Sequence, residues 1–401
     1  MDPITHGITG ALLGKGLFSK RQTRVSIFAA TLGAVFPDVD VFFEFFSRDP
    51  LAIVKYHRAI THSFAGLPFF AAFLAWLTRR VARHFGIESP SWLMLTLIYG
   101  VGIASHIILD GMTSFGTRMW MPFSEQRVSW DLLFIIDFTF TAIVLLPQIA
   151  AWVYSGRENS RLRAGVIWIL LSLGACGAYA IGVLVGHPFG KGIVVIACAA
   201  IAALLFLPSI RGWGFGVPRA GWCQAGACLM LLYLFACAAA HHSALNRAKE
   251  FAAANHIAVV RMAAIPVPPS LLDWGDEILT PDGVYQTEFD LREPLPPVFR
   301  FFADSPPDEF TTRALQLPAV QLYWQFARFP VIRTSYEGTH HIVQFGERRF
   351  VSPTTKNLPP FTYQVVFDAG GNVIRQGWFS DALQMRRSDD LKQQSPEKKA
   401  P

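Results

Sequence analysis

His57, Arg58, Thr61 and His62 fall within seven residues, HRAITHS, and the chain that follows is almost wholly apolar. Two imidazoles, a guanidinium and a hydroxyl at such an edge are potential ligands and anion partners. Carboxylates that could join them lie nearby in type and order: Asp38 and Asp40 in FPDVD, and Asp110 in SHIILD. His106 and Asp110 are four residues apart, so a helix presents both from one face. His6 supplies a further imidazole. The set His6, Asp38, Asp40, His57, His62, His106 and Asp110 offers nitrogen and oxygen ligands without a thiolate, which suits Zn²⁺ first and Mn²⁺ or Fe²⁺ next. Such an ion activates water and stabilises charge on a phosphoryl or carbonyl oxygen. In that chemistry Asp38 or Asp40 would act as general base. Arg58 would clamp a phosphate or pair with an acid of the cluster. Thr61 would orient a ligand. Asp131 and Asp137 are six apart and share no helical face, so one is expected in support of the ligands and the other in a structural role.

The elements that must position these residues are membrane helices. Of the 401 residues, 52% are hydrophobic and only 16% charged, against about a quarter charged in soluble domains. A helix crosses the bilayer core in about 20 apolar residues, and spans are expected near 4–18 (short), 25–46, 63–79, 92–112, 131–154, 164–186, 191–210 and 220–241. The loops Lys15–Arg24, Arg79–Arg83, Arg157–Arg163 and Arg211–Arg219 are rich in Lys and Arg, whereas 47–62, 113–130 and 186–191 are poorer. Placing the basic loops inside puts both termini outside. His6, Asp38, Asp40, His57, His62, His106, Asp110, Asp131 and Asp137 then all fall at the outer face. The net charge of +6 matches cytoplasmic loops better than a nucleic-acid partner. The opening MDPITHGITG begins with an acid, unlike the basic start of a cleavable signal.

Beyond residue 245 the character changes. HHIVQFGERRFV and FTYQVVFDAGGNVIRQGWF read as strands, with DAGGN as a hairpin turn. Residues 246–385 therefore form a small β-rich domain outside the membrane, and 386–401 a disordered tail. The segment 113–124 would roof the site, with Trp120, Phe123 and Trp130 as an aromatic belt.

Blander readings suit other polar residues. His187, His241 and His242 read as hydrated interface residues, and His340 and His341 as strand residues. Cys176, Cys198, Cys223, Cys228 and Cys237 lie in apolar runs as small core residues. There is no phosphate-binding glycine loop, no Gly-x-Ser-x-Gly elbow and no His-Glu-x-x-His. Acids inside apolar segments, by contrast, cost about 3 kcal/mol each at a helix centre, and so call for partners or a function.

The ordered motifs MDPITHGITGALLG, FPDVD, HRAITHS, SHIILDGMTSFGT, PFS and DLLFIIDFTFT resemble the YdjM family of predicted membrane-bound, metal-dependent hydrolases. The resemblance is close over roughly residues 1–145, and the β-rich region is similar to the C-terminal part of longer members. It implies an inner-membrane location and hydrolase activity. A more distant similarity links His106 and Asp110 to the His-x-x-x-Asp element of zinc-dependent phospholipase C and related nucleases; His6, Asp38 or Asp40, and His62 carry over by type and order. This chain lacks their His-rich final helix, so one or two metal ions are expected, not three.

The expectation is a mainly α, polytopic bundle of about eight spans in a bacterial inner membrane, with a C-terminal β-rich domain. Residues 1–245 would carry a divalent-metal site at the outer, periplasmic side. The chain would hydrolyse a phosphoester of a lipid or lipid-linked substrate among membrane lipids. The rival expectation is a non-enzymatic transporter or scaffold whose His/Asp cluster binds an ion. The sequence names no partner for the β-rich domain.

Overall fold

The computed structural model describes residues 1–18, 24–47, 49–185, 190–268, 270–355 and 358–379. The tail 386–401, expected to be disordered, lies outside the described residues, as do His187 and parts of three loops used to judge orientation. The helices are α1 (Pro3–Leu17), α2 (Arg24–Val35), α3 (Val41–Phe46), α4 (Ala52–Tyr56), α5 (Leu67–His84), α6 (Trp92–Gly111), α7 (Phe138–Val153), α8 (Ser160–Val185), α9 (Lys191–Ile210) and α10 (Arg219–Ala254).

Each expected span corresponds to a helix, but not each helix is a span. Among the described residues five helical stretches, with the continuous run 24–43 taken as one, are long and apolar enough to cross a membrane, or six if the bent pair 52–62 and 67–84 counts as one. The expected eight is not reached, because α1 and α7 have only 15 and 16 residues, roughly 22–24 Å of helix against a bilayer core of about 30 Å. Residues 131–137 were expected to open the fifth span. They form a loop instead, because the Asp137 side chain caps α7 by accepting the Phe140 N–H at 3.0 Å.

Helices α1, α2 and α6 pack against one another, with α5 on α6 and α10 on α7 and α1. Close approach depends on small residues. A Cβ on Gly102 of α6 would lie 2.6 Å from the Ala30 carbonyl oxygen of α2, so only glycine lets these helices meet. That contact sets the end of α2 beside the end of α6. Helices α8 and α9 expose most of their apolar surface, as lipid-facing helices do.

Helix α10 has 36 residues, roughly 54 Å. It outruns the membrane and carries the β-rich region on its last turns. The boundary expected at residue 245 therefore falls inside a helix. Ala244 packs with Trp274 and Phe289, and Ala248 and Ala252 with Ile278. Two antiparallel meanders follow. The first comprises β1 (Arg261–Pro266), β2 (Asp273–Thr280), β3 (Gly283–Asp290) and β4 (Arg300–Ala303). The second, after α11 (Glu309–Leu315) and α12 (Pro318–Phe326), comprises β5 (Pro330–Glu337), β6 (His340–Glu347), β7 (Thr362–Phe367) and β8 (Val373–Trp378). The expected DAGGN turn joins β7 to β8, with Gly371 at φ +79°, a conformation glycine adopts without steric cost. His340 and His341 lie on β6, as their strand reading requires.

The β-rich region docks on the membrane bundle at one end. Its apolar core is continuous with Leu51, Val54 and Phe115. Arg328 grips Asp131 with bonds of 2.7 and 2.8 Å, and Arg349 donates to the Ser114 carbonyl at 2.7 Å.

Candidate metal centre

The start of α1, the end of α2, the stretch before α5 and the end of α6 meet at that same end of the bundle. Pro37 has no N–H to continue α2, and residues Phe36–Asp40 wind as a 3-10 turn. At three residues per turn, positions two apart point about 120° away from each other. Asp38 and Asp40 therefore face different neighbours, whereas an extended FPDVD would place them on one face.

Asp38 faces inward. Its Oδ1 lies 3.7 Å from His62 Nε2 and 3.5 Å from His106 Nε2. Asp110 Oδ2 lies 3.2 Å from His62 Nε2 and 3.4 Å from His106 Nε2. The two Nε2 atoms are 3.0 Å apart. Asp38, His62, His106 and Asp110 thus form a group whose ligand atoms all lie within 4.8 Å of one another and which could hold a metal ion. Ligands about 2.0–2.1 Å from a tetrahedral ion stand roughly 3.3–3.4 Å apart, in the middle of the range these contacts span.

The ring hydrogens argue the same way. His106 Nδ1 lies 2.7 Å from the Ala34 carbonyl oxygen, which only accepts, so Nδ1 carries a hydrogen. His62 Nδ1 lies 3.1 Å from Asp40 Oδ2, and an ionised carboxylate imposes the same tautomer. In the neutral rings both Nε2 lone pairs then point at each other across 3.0 Å. Asp38 Oδ1 and Asp110 Oδ2 face the same two nitrogens, and Asp110 Oδ2 also has the Arg58 guanidinium behind it. Four acceptors converge, and a cation among them satisfies all four.

Asp40 stands one layer out from this group, although the sequence suggested it as ligand and base. Its oxygens are taken by the Arg58 N–H at 2.8 Å, Thr61 Oγ1 at 3.0 Å, His62 Nδ1 at 3.1 Å and His57 Nδ1 at 3.1 Å. It orients His62. His57, also expected as a ligand, is held by Asp40 and packs edge-on against Phe115. Thr61 bonds Asp40 and so supports a ligand indirectly. His6 stacks on His106 with centroids 3.7 Å apart and meets the outer oxygen of Asp110 at 3.1 Å. The Met1 ammonium also reaches that oxygen.

Arg58 pairs with Asp110, Nε to Oδ2 at 2.8 Å, and donates to Thr113 Oγ1 at 2.8 Å. A phosphate clamp was the other expectation; here the guanidinium is spent on the cluster's own acid. Its backbone is left-handed, φ +57°, which costs a non-glycine residue roughly 1–2 kcal/mol. The Asp40 carboxylate below and the Arg118 N–H above hold it there, through bonds of 2.8 and 3.1 Å. Among the described contacts Asp131 meets Ser129 and Arg328 of the β-rich region, not a ligand of the group. Asp137 caps α7 and accepts from Tyr233 Oη at 2.8 Å.

Three residues were missed. Arg127 donates to the Val54 and His57 carbonyls at 2.7 and 3.4 Å, and Arg118 to Val54 and Lys55 at 2.5 and 3.0 Å. Burial and the nearby Arg118, Arg58 and Arg349 push the Arg127 guanidinium pKa down to about 9. Phe115 separates these arginines from the centre. Phe115 and Arg118 lie in the segment read as a roof and Arg127 just beyond it, but their partners are distant in sequence.

The YdjM inner membrane protein family matches this chain over residues 1–184, a segment that includes every residue of the centre. Inner membrane protein YbcI of Escherichia coli (strain K12) is 31% identical over 139 residues, which are 34% of this chain and 76% of that protein. No solved structure matches. With its motifs, apolar helices and matched relative in agreement, the chain belongs to the YdjM inner membrane protein family.

Proposed function

We propose that this protein is a metal-dependent hydrolase that cleaves a phosphoester of a lipid or lipid-linked substrate at the outer face of the inner membrane. The observation that carries the reading is the pair of His62 and His106 Nε2 atoms, 3.0 Å apart with both Nδ1 atoms committed elsewhere, flanked by two buried carboxylates. Zinc suits this His₂Asp₂ donor set, with manganese and iron as alternatives. A bound ion would acidify a water and offset negative charge on a phosphoryl oxygen.

The chain's own residues do the rest. His62 and His106 are held in a single tautomer by Asp40 and the Ala34 carbonyl. Arg58 balances the charge of Asp110. Asp38 is the carboxylate with a partly exposed side chain and an uncommitted oxygen, so it is the candidate general base. Phe115 packs against His57 beside the centre and joins the apolar core of the docked β-rich region. The Lys- and Arg-rich loops Arg79–Arg83, Arg157–Arg163 and Arg211–Arg219 support the outer placement.

The test is hydrolysis of a phosphodiester lipid by the detergent-purified protein, beside His106→Ala and Asp110→Ala. Activity that both substitutions abolish supports the reading. Equal activity and equal metal content in all three would refute it. Uptake of a solute by reconstituted liposomes, with no hydrolysis, would favour a transporter.

A further inference from the structure

Where the β-rich region meets the roof of the centre, a cleft of about 630 Å³ opens, within the range of small-molecule sites. Arg127, Arg261, Arg328 and Arg349 line it, with Phe115 and Phe326 as its apolar wall. Two of these charges are answered. Arg328 is paired with Asp131 at 2.7 Å, and Arg349 with Glu347 at 3.0 Å. The other two are not. Among the described residues neither Arg127 nor Arg261 has a carboxylate within ion-pair distance.

Arg127 is instead held by three backbone carbonyls, of Gly116, Val54 and His57, at 3.1, 2.7 and 3.4 Å. Carbonyls satisfy its hydrogen bonds but not its charge. They also fix the plane of the guanidinium, against the faces of Phe115 and Phe326. Arg261 is exposed and makes one long bond, 3.4 Å, to the Arg328 carbonyl, which leaves most of its donors open. Among the described residues Glu125 is the one acid lining the cleft, and it is exposed. A rigid arginine and an open one facing a single cleft suit a tetrahedral anion, which accepts several N–H groups at once.

We propose that this cleft is a binding site for a phosphate-bearing ligand, distinct from the metal centre and separated from it by Phe115. The chemistry recognised is a phosphate or phosphodiester. The roof segment that builds the cleft also exposes Trp120 and Phe123, at 54% and 87%. Such aromatics sit at headgroup level, so the ligand is within reach either on a lipid or free in solution. The inference does not depend on the hydrolase reading.

The test uses the full chain in neutral detergent with a chelator present, so that metal chemistry plays no part. Inorganic phosphate is titrated in one arm and short-chain phosphatidylglycerol, against phosphatidylcholine, in the other. Binding is read by thermal shift and by native mass spectrometry. Saturable binding is expected, about tenfold weaker in each of Arg127→Gln and Arg261→Gln. Arg261 is exposed, so its variant should fold even where Arg127→Gln loosens the roof. Selective retention of phosphatidylglycerol identifies a headgroup as the source, and binding of phosphate alone identifies a soluble ester. Absence of saturable binding in both arms, or affinity unchanged in Arg261→Gln and in a folded Arg127→Gln, overturns the proposal.

Discussion

The centre in the membrane bundle and the ionic network in the β-rich region both bury charge, but they settle it differently. In the β-rich region Glu347 accepts the N–H groups of Arg328, Phe329 and Arg349 and pairs with the Arg349 side chain. Its lone pairs are spent. Neighbouring Glu277 and Asp276 are buried, and burial pushes both carboxyls well above the usual range, which favours their neutral forms. In the bundle, four acceptors point at one another and the donors stand behind them. Burial of charge is therefore not the mark of a metal site. The mark is acceptors that converge while their other atoms are engaged.

The sharpest way to break this comparison is Arg58→Ala. Removing one partner of a buried ion pair costs about 3–5 kcal/mol when nothing replaces it. Asp110 would retain its bound ion, so the loss should appear chiefly in metal-free protein. Thermal melts with and without chelator measure it. An equal loss in both would mean that no ion balances Asp110.

Asp40→Asn should have a smaller effect. It leaves all four converging ligand atoms in place but weakens the hold on His62 Nδ1. Metal affinity should fall about 10- to 100-fold, as read by chelator competition. No change would place Asp40 outside the orientation of His62.

Asp276→Asn gives the smallest effect and probes the other region. An acid whose folded pKa is raised binds its proton more tightly when folded, so stability falls as pH rises above its unfolded value of about 3.9. The asparagine variant should be more stable than the parent above that pH and less dependent on it, with metal content unchanged. Denaturation of the purified protein across pH 4–8 tests this, and parallel pH profiles for parent and variant would contradict it.

Much of this was legible in sequence because local chemistry sets it. His106 and Asp110 share a helical face by spacing alone, and the DAGGN turn is specified by its own residues. That His6, Asp38, His62 and Asp110 share one end of the bundle followed from alternating loops. Other features depend on contacts distant along the chain. Asp131 looked like a ligand's neighbour because its true partner, Arg328, is 197 residues away. Asp38 and Asp40 looked equivalent because Pro37 signals a break but not the 3-10 winding that separates them. Helix α10 looked finished at the membrane edge because its last turns are covered by strands that hydropathy does not reveal. The arginine cleft needed the docked β-rich region before it existed at all.

The central claim is that Asp38, His62, His106 and Asp110 hold a metal ion, and elemental analysis tests it most directly. The detergent-purified protein would be measured beside a His62→Ala/His106→Ala double variant. The account predicts stoichiometric zinc, or manganese or iron, in the first and none in the second. No metal in either, after dialysis against each ion, would contradict it and leave a proton shared between the two imidazoles as the reason they face each other.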